Sequence, residues 1–188
     1  MLNETLLSMD EEGFSDKEVR DIQEGNLIPN GTYVFEIMGV EFDNVEHAYT
    51  PRDQNKEVTG PPIEYSAEQH ISGKVQFRVA DGVNNSQVNR RITEFMRFFN
   101  RSVPGLIESL PYNMRQMHDA TMGKIVALVN ASQAPVLVNA SGNKQYLTTF
   151  FTDMVTDPPR LIRATVGKKA DQNGVMQNTI GGFKPYKG

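Results

Sequence analysis

There is no cysteine in this chain, which excludes a disulfide framework and thiolate chemistry of any kind. Long apolar runs are also missing. No segment approaches the roughly 18–20 residues that cross a bilayer, so no membrane partner is expected. The opening Met1-Leu2-Asn3-Glu4 has no basic stretch followed by an apolar one, so no secretory leader is expected there and the expected location is the cytoplasm. Hydrophobic residues make up only 38% of the 188 residues, a low share for a globular chain, and they concentrate in the middle. That distribution predicts one domain of about 130 residues, an ordinary size, between two flexible tails poor in core-forming residues.

Signatures of catalysis are equally scarce. His47, His70 and His118 are scattered and none stands at metal-ligand spacing with an acid or another histidine. Ser72-Gly73-Lys74 lacks the preceding glycine of a phosphate-cradling loop, and no nucleophile elbow occurs. The expectation is a protein that is not an enzyme, with no catalytic residue, no metal and no cofactor. Dispersed carboxylates keep a nuclease, or a nuclease accessory protein, as an alternative.

What the chain does have is charge, unevenly spread. Residues 1–24 hold eight acids against Lys17 and Arg20, a net of −6, whereas residues 160–188 hold six bases against Asp171, a net of +5. Such asymmetry points to partners, although solvated ends are often charged for solubility alone. The expected organisation is therefore an acidic flexible segment over 1–26, a domain over 27–159 and a basic flexible tail over 160–188. An acidic head can compete for a basic ligand face, and a basic tail can add phosphate contacts.

Periodicity supplies the elements. Ser15 and Glu18 would form a capping box for a short helix from Asp16 to Ile22. Leu27-Ile28-Pro29-Asn30-Gly31 is a turn into a strand from Thr32 to Phe42. On that strand Tyr33, Phe35 and Ile37 share one parity, and Val40 and Phe42 take the other, a switch that predicts a β-bulge at Gly39. Residues 43–69 read as a long functional or disordered loop. Ile71, Val75, Phe77 and Val79 then alternate with Ser72, Lys74, Gln76 and Arg78, a half-buried strand with a basic outer face. A turn over 80–87 leads to a third strand from Val88 to Phe99. Pro104 to Met122 has helical spacing at Leu106, Ile107, Leu110, Met114 and Met117, with Pro111 splitting or kinking it. Gly123 opens an expected fourth strand from Lys124 to Val129. Further β segments are expected at Pro135–Asn139 and Tyr146–Val155, with Leu147, Phe151 and Val155 inward, and Asp157-Pro158-Pro159 closing the domain. Strands with one helix between the third and fourth give the fold class: mostly β, an oligonucleotide-binding (OB)-like five-stranded barrel.

The third strand carries the functional signal. One parity reads Arg91, Thr93, Phe95, Arg97, Phe99, interleaving cations with aromatics. Single-stranded nucleic acid needs that mixture, because arginines neutralise phosphates while rings stack on bases. Lys74, Gln76 and Arg78 on the neighbouring strand extend the face, Tyr146 points outward at the start of the last expected strand, and Lys144 sits in the turn before it. Strand phenylalanines are also ordinary core residues, so the case rests on the hairpin as a unit.

Leu27-Ile28-Pro29-Asn30-Gly31-Thr32-Tyr33, followed by an alternating strand, resembles the opening of bacteriophage single-stranded DNA-binding proteins of the OB type. Met122-Gly123-Lys124-Ile125-Val126-Ala127 is similar to the glycine–lysine start of their fourth strand. The resemblance spans about residues 27–156. It implies a protein that coats single-stranded DNA during phage replication or recombination with low sequence specificity, in the host cytoplasm. It also implies replication or recombination proteins as partners through the charged ends. Many such proteins end in an acidic tail, whereas here the acidic segment comes first. The rival class is a phage structural or assembly protein whose β domain serves only as a packing surface.

Overall fold

The computed structural model describes residues 27–81, 87–133, 137–138, 144–145, 155–171 and 174–187. The elements are β1 (Gly31–Asn44), β2 (His47–Tyr49), β3 (Ile63–Tyr65), β4 (His70–Val79), β5 (Arg91–Phe99), α1 (Leu106–Ser109), α2 (Tyr112–Ser132), β6 (Leu137–Val138), β7 (Lys144–Gln145), β8 (Leu161–Ala170) and β9 (Met176–Pro185). The protein is mostly β. The helix expected at Asp16–Ile22 and nearly all of the strand expected at Tyr146–Val155 lie outside the described residues. Val155 itself is in no strand and is 38% exposed, so its expected inward position is corrected.

β1 organises the sheet. Its second half pairs antiparallel with β4 over Phe35–Asn44, and its first half with β8 over Gly31–Glu36. Between Ile37 and Gly39 the register with β4 shifts by one residue. This is the bulge that the parity switch predicts, and it lets one strand serve two partners. The approach of β4 is close at Gly73, which faces Phe42. A Cβ there would lie 2.3 Å from Phe42 Cδ1 and 2.4 Å from the Glu41 carbonyl oxygen, so only glycine fits.

The strand order is β5-β4-β1-β8-β9, each neighbouring pair antiparallel. β5 and β9 are its edges and do not bond to each other, so the sheet is open where a closed barrel was expected. Part of the reason is the chain leading into β1, which sits at that gap. The Asn178 side-chain amide on β9 accepts from Ile28 N and donates to Ile28 O, both at 2.8 Å, and Arg90 donates to Leu27 O at 3.1 Å. Side chains beside both edges thus hold the backbone of Leu27 and Ile28 at the gap.

Two other expectations are corrected. Lys124–Val129 is not a strand but the second half of α2, which runs from Tyr112 to Ser132. Its buried residues Met114, His118, Ile125, Leu128, Val129, Ala131 and Ser132 keep helical spacing. Pro111 splits this helix from α1 as expected, by standing at the N-cap. Residues 160–188, expected as a flexible tail, supply β8 and β9. Ile162, Ala164 and Val166 alternate into the core, followed by Ile180 and Phe183. The domain therefore does not end at Pro159.

The inner face of the sheet meets α2 in one cluster, where Phe35, Ile37, Val75, Phe77 and Ile162 are sealed against Ile125, Leu128 and Val129. Burying each such side chain contributes about 1.5–3 kcal/mol. Phe77 stacks on Phe183 with ring centroids 5.7 Å apart, tying β4 to β9 across the core. A second, smaller cluster gathers Tyr65, Phe99, Leu106, Leu110 and Met114, with Tyr49 against it. It forms because β2 and β3, inside the expected loop, make a small sheet of their own.

Candidate nucleic-acid interface

Cross-strand register decides which side chains share the outer face of β1, β4 and β5. Three rows run across it: Glu36–Arg78–Arg91, Glu41–Lys74–Phe95 and Asp43–Ser72–Arg97. Gln76 stands between Gly39 and Thr93. On β5, Arg91, Thr93, Phe95 and Arg97 are exposed while Ile92, Met96 and Phe98 are buried. Phe95 is 71% exposed. An aromatic ring left that open on a regular strand is not a core residue.

Phe99 is, and its expected place on this face is corrected. It is fully buried. At the end of β5 both faces are covered, with Phe98 in the main core and Phe99 in the second cluster. The sheet thus keeps four of the five positions that the alternation assigned to the outer face.

The cations on β4 differ from those on β5. Lys74 Nζ lies 2.9 Å from Glu41, and Arg78 grips Glu36 through Nε at 2.6 Å and a terminal nitrogen at 2.5 Å. Arg91 and Arg97 take part in none of the ion pairs among the described residues. The expected uninterrupted basic face is therefore two strips. The β4 strip is neutralised by carboxylates of β1, and the β5 strip keeps its charge.

β8 and β9 bring further cations that the sequence reading placed in a tail. Arg163 faces Lys184 and Lys169 faces Gln177, and all three cations are exposed. The gap between β5 and β9 holds two adjoining clefts of about 410 and 490 Å³ that share Thr93, Gln177 and Asn178. Arg91 lines one, and Phe95 and Lys169 line the other together with Asp171 and with Glu94, which Lys124 pairs. Lys144 lies on β7, in a two-stranded sheet apart from the main one. Tyr146 lies outside the described residues.

Beyond Arg97 the face meets β2 and β3. The Tyr49 hydroxyl is 2.8 Å from His70 Nε2, and His70 Nδ1 is 3.1 Å from the Val45 carbonyl oxygen. Burial pushes the Tyr49 phenol up, and the positive charge of Arg97 opposes that in part. Burial likewise holds His70 below the ordinary imidazole range, with His47 and Arg97 nearby adding to the shift. No motif marks this group, because its members come from strands separated by long connections.

A third cleft of about 520 Å³ opens beside His47 and Tyr65, with Glu46 and Glu64 on its walls, a lining unsuited to phosphate. Among the described residues no cluster of three or more histidines and carboxylates could hold a metal ion, and no helix is long and apolar enough to cross a membrane. No family model, no curated protein and no solved structure matches this chain.

Proposed function

We propose that this protein binds single-stranded DNA, without catalysis and with low sequence specificity, on the exposed side of β5 and the adjoining edge of β9. The observation that carries this reading is the run Arg91, Thr93, Phe95, Arg97 on one open strand face, with Phe95 at 71% exposure. Cations without carboxylate partners neutralise phosphates, and an open ring stacks on a base. Lys169 across the second cleft supplies a further charge beside Phe95.

The strand order supports an OB-like assignment. In an OB barrel the third and fifth strands close the circle, and in this chain the corresponding edges, β5 and β9, flank a common gap. The helix between the third and fourth long strands fits the same plan. Coating of DNA during phage replication or recombination, in a host cytoplasm, is the setting this reading implies. The acidic segment 1–26 is the candidate contact for replication or recombination proteins.

One observation favours a second reading. The neutralised pairs Lys74–Glu41 and Arg78–Glu36 are what a packing surface of a structural or assembly protein would carry. Titration of fluorescent oligo-dT and of duplex at two salt concentrations separates the two. Single-strand binding with a log–log salt slope near −2, about −0.7 for each of three phosphates, supports the first. Equal or tighter duplex binding, or none to either, removes it.

A further inference from the structure

Gln177 on β9 lines both clefts of the β5–β9 gap, as Thr93 on β5 does from the other edge. Its amide has a fixed sense. A carboxylate can only accept, so the 3.1 Å contact with Asp171 Oδ2 is made by Gln177 Nε2 as the donor. Asp171 is itself held in place. Its other oxygen accepts from Val175 N at 3.0 Å, and its backbone N donates to the Val175 carbonyl oxygen at 2.9 Å. The carboxylate is thus built into the turn from β8 to β9. With Nε2 committed to Asp171, Gln177 Oε1 is left as an acceptor, and no hydrogen bond among the described residues reaches it. Asn178, the other amide on this wall, is turned to Ile28 and Gly167.

The second cleft, of about 490 Å³, therefore sets an open ring against a wall of acceptors. Phe95, 71% exposed, comes from β5, while Gln177 and Asp171 stand on the β9 side. A phosphate is repelled by carboxylates, so the backbone of a bound strand belongs at the cationic margins, Arg91 in the first cleft and Lys169 in the second. A base is the part of a nucleotide that fits between them. Its flat face can stack on Phe95, and its edge then meets acceptors. The amino groups of cytosine, adenine and guanine donate to such a wall. In thymine and uracil the one ring N–H of that edge lies between two carbonyl oxygens, which the same acceptors repel.

We propose that this cleft seats one nucleobase bearing an exocyclic amino group. Phe95 is its stacking platform, and Gln177, oriented by Asp171, favours it over thymine or uracil. The inference rests on the single-stranded DNA reading and gives the low sequence specificity of that reading a direction.

The test compares oligo-dC with oligo-dU of one length, using the full-length protein near neutral pH. The two bases differ only in the group on C4 and the proton on N3. Wild-type protein should bind oligo-dC about 3- to 10-fold more tightly, the value of one hydrogen bond. Gln177→Leu should bring the two affinities to within about 1.5-fold of each other. Its oligo-dU affinity and urea midpoint should hardly move, because Gln177 is exposed. Asp171→Asn keeps an oxygen for Val175 N but turns an NH2 group toward Gln177. The glutamine amide must then flip, and the preference should reverse in favour of oligo-dU. Equal affinities in wild type, or an unchanged preference in either variant, overturn the proposal, while tight binding to both oligonucleotides leaves the single-strand reading standing. If neither oligonucleotide binds, the single-strand reading falls and the seat is judged on nucleosides. Cytidine must then shift the NMR signals of the Gln177 side-chain amide more than uridine at equal concentration, and equal or absent shifts overturn the seat as well.

Discussion

Arg78 on β4 and Arg91 on β5 face each other in register, yet among the described residues only Arg78 is met by a carboxylate, that of Glu36. Arg91→Ala should reduce the log–log salt slope of oligo-dT binding by about 0.7, the contribution of one phosphate. Arg78→Ala should leave that slope nearly unchanged. It should instead lower stability by about 1–2 kcal/mol in a urea melt, because Glu36, with a side chain only 17% exposed, loses its partner. Equal slope changes for the two variants would mean that the ion pair opens when DNA binds.

Phe95 and Phe99 share a parity but not an environment, and their alanine variants should separate cleanly. Phe95→Ala should weaken oligo-dT binding by about 1–3 kcal/mol without altering the salt slope, while the unfolding midpoint barely moves. Phe99→Ala removes a ring from the second cluster and should cost about 3–5 kcal/mol of stability. Loss of stability in Phe95→Ala would show that the ring packs against something in solution.

All three histidines, His47, His70 and His118, are held below the ordinary imidazole value, burial being the first cause in each case. His118 shows why ionisation is costly. Its Nδ1 accepts from Phe99 N at 3.1 Å, and its buried Nε2 has no partner among the described residues. A proton on Nδ1 would set two donors against each other. The folded state thus binds fewer protons than the unfolded one, whose imidazoles titrate near about 6.5. Stability should be complete above that pH and fall as pH drops below it toward the lowered folded values. Urea midpoints at pH 7.5, 6.5 and 5.5 should decrease over the last interval. A constant midpoint there would contradict the neutral assignment.

The C-terminal region should behave as core. Ile162 is fully buried and faces Phe35 across the β1–β8 pair. Ile162→Ala should cost about 2–5 kcal/mol, read as a shifted denaturation midpoint. A change below about 0.5 kcal/mol would restore the picture of an appended tail.

Much of the face could be read in the sequence because a half-buried strand records its orientation in period-two alternation. Ile92, Met96 and Phe98 against Arg91, Phe95 and Arg97 is that record, and the Gly39 bulge is legible for the same reason. Phe99 escaped because part of its cover, Tyr49 and Tyr65 of β2 and β3, comes from distant parts of the chain. Lys124-Ile125-Val126-Ala127-Leu128-Val129 looks like a strand in a six-residue window. Its helical period appears only once Met114 and His118 are counted with it. In residues 160–188 the net positive charge obscured a modest alternation, Ile162, Ala164, Val166. The neutralisation of Lys74 and Arg78 depends on pairing between β1 and β4, which composition does not encode.

The pairing of β1 with β8 sets a clock on folding. Thr32 and Thr165 touch across the sheet although 133 positions separate them. On a ribosome adding about 5–20 residues per second, the first half of β1 waits roughly 7–27 s for its partner. Through that interval the edge from Gly31 to Glu36 is a bare template beside Phe35 and Ile37, open to another nascent chain. β8, made long after β1, is thus what ends the aggregation hazard of β1, and contacts of such long range also predict slow refolding.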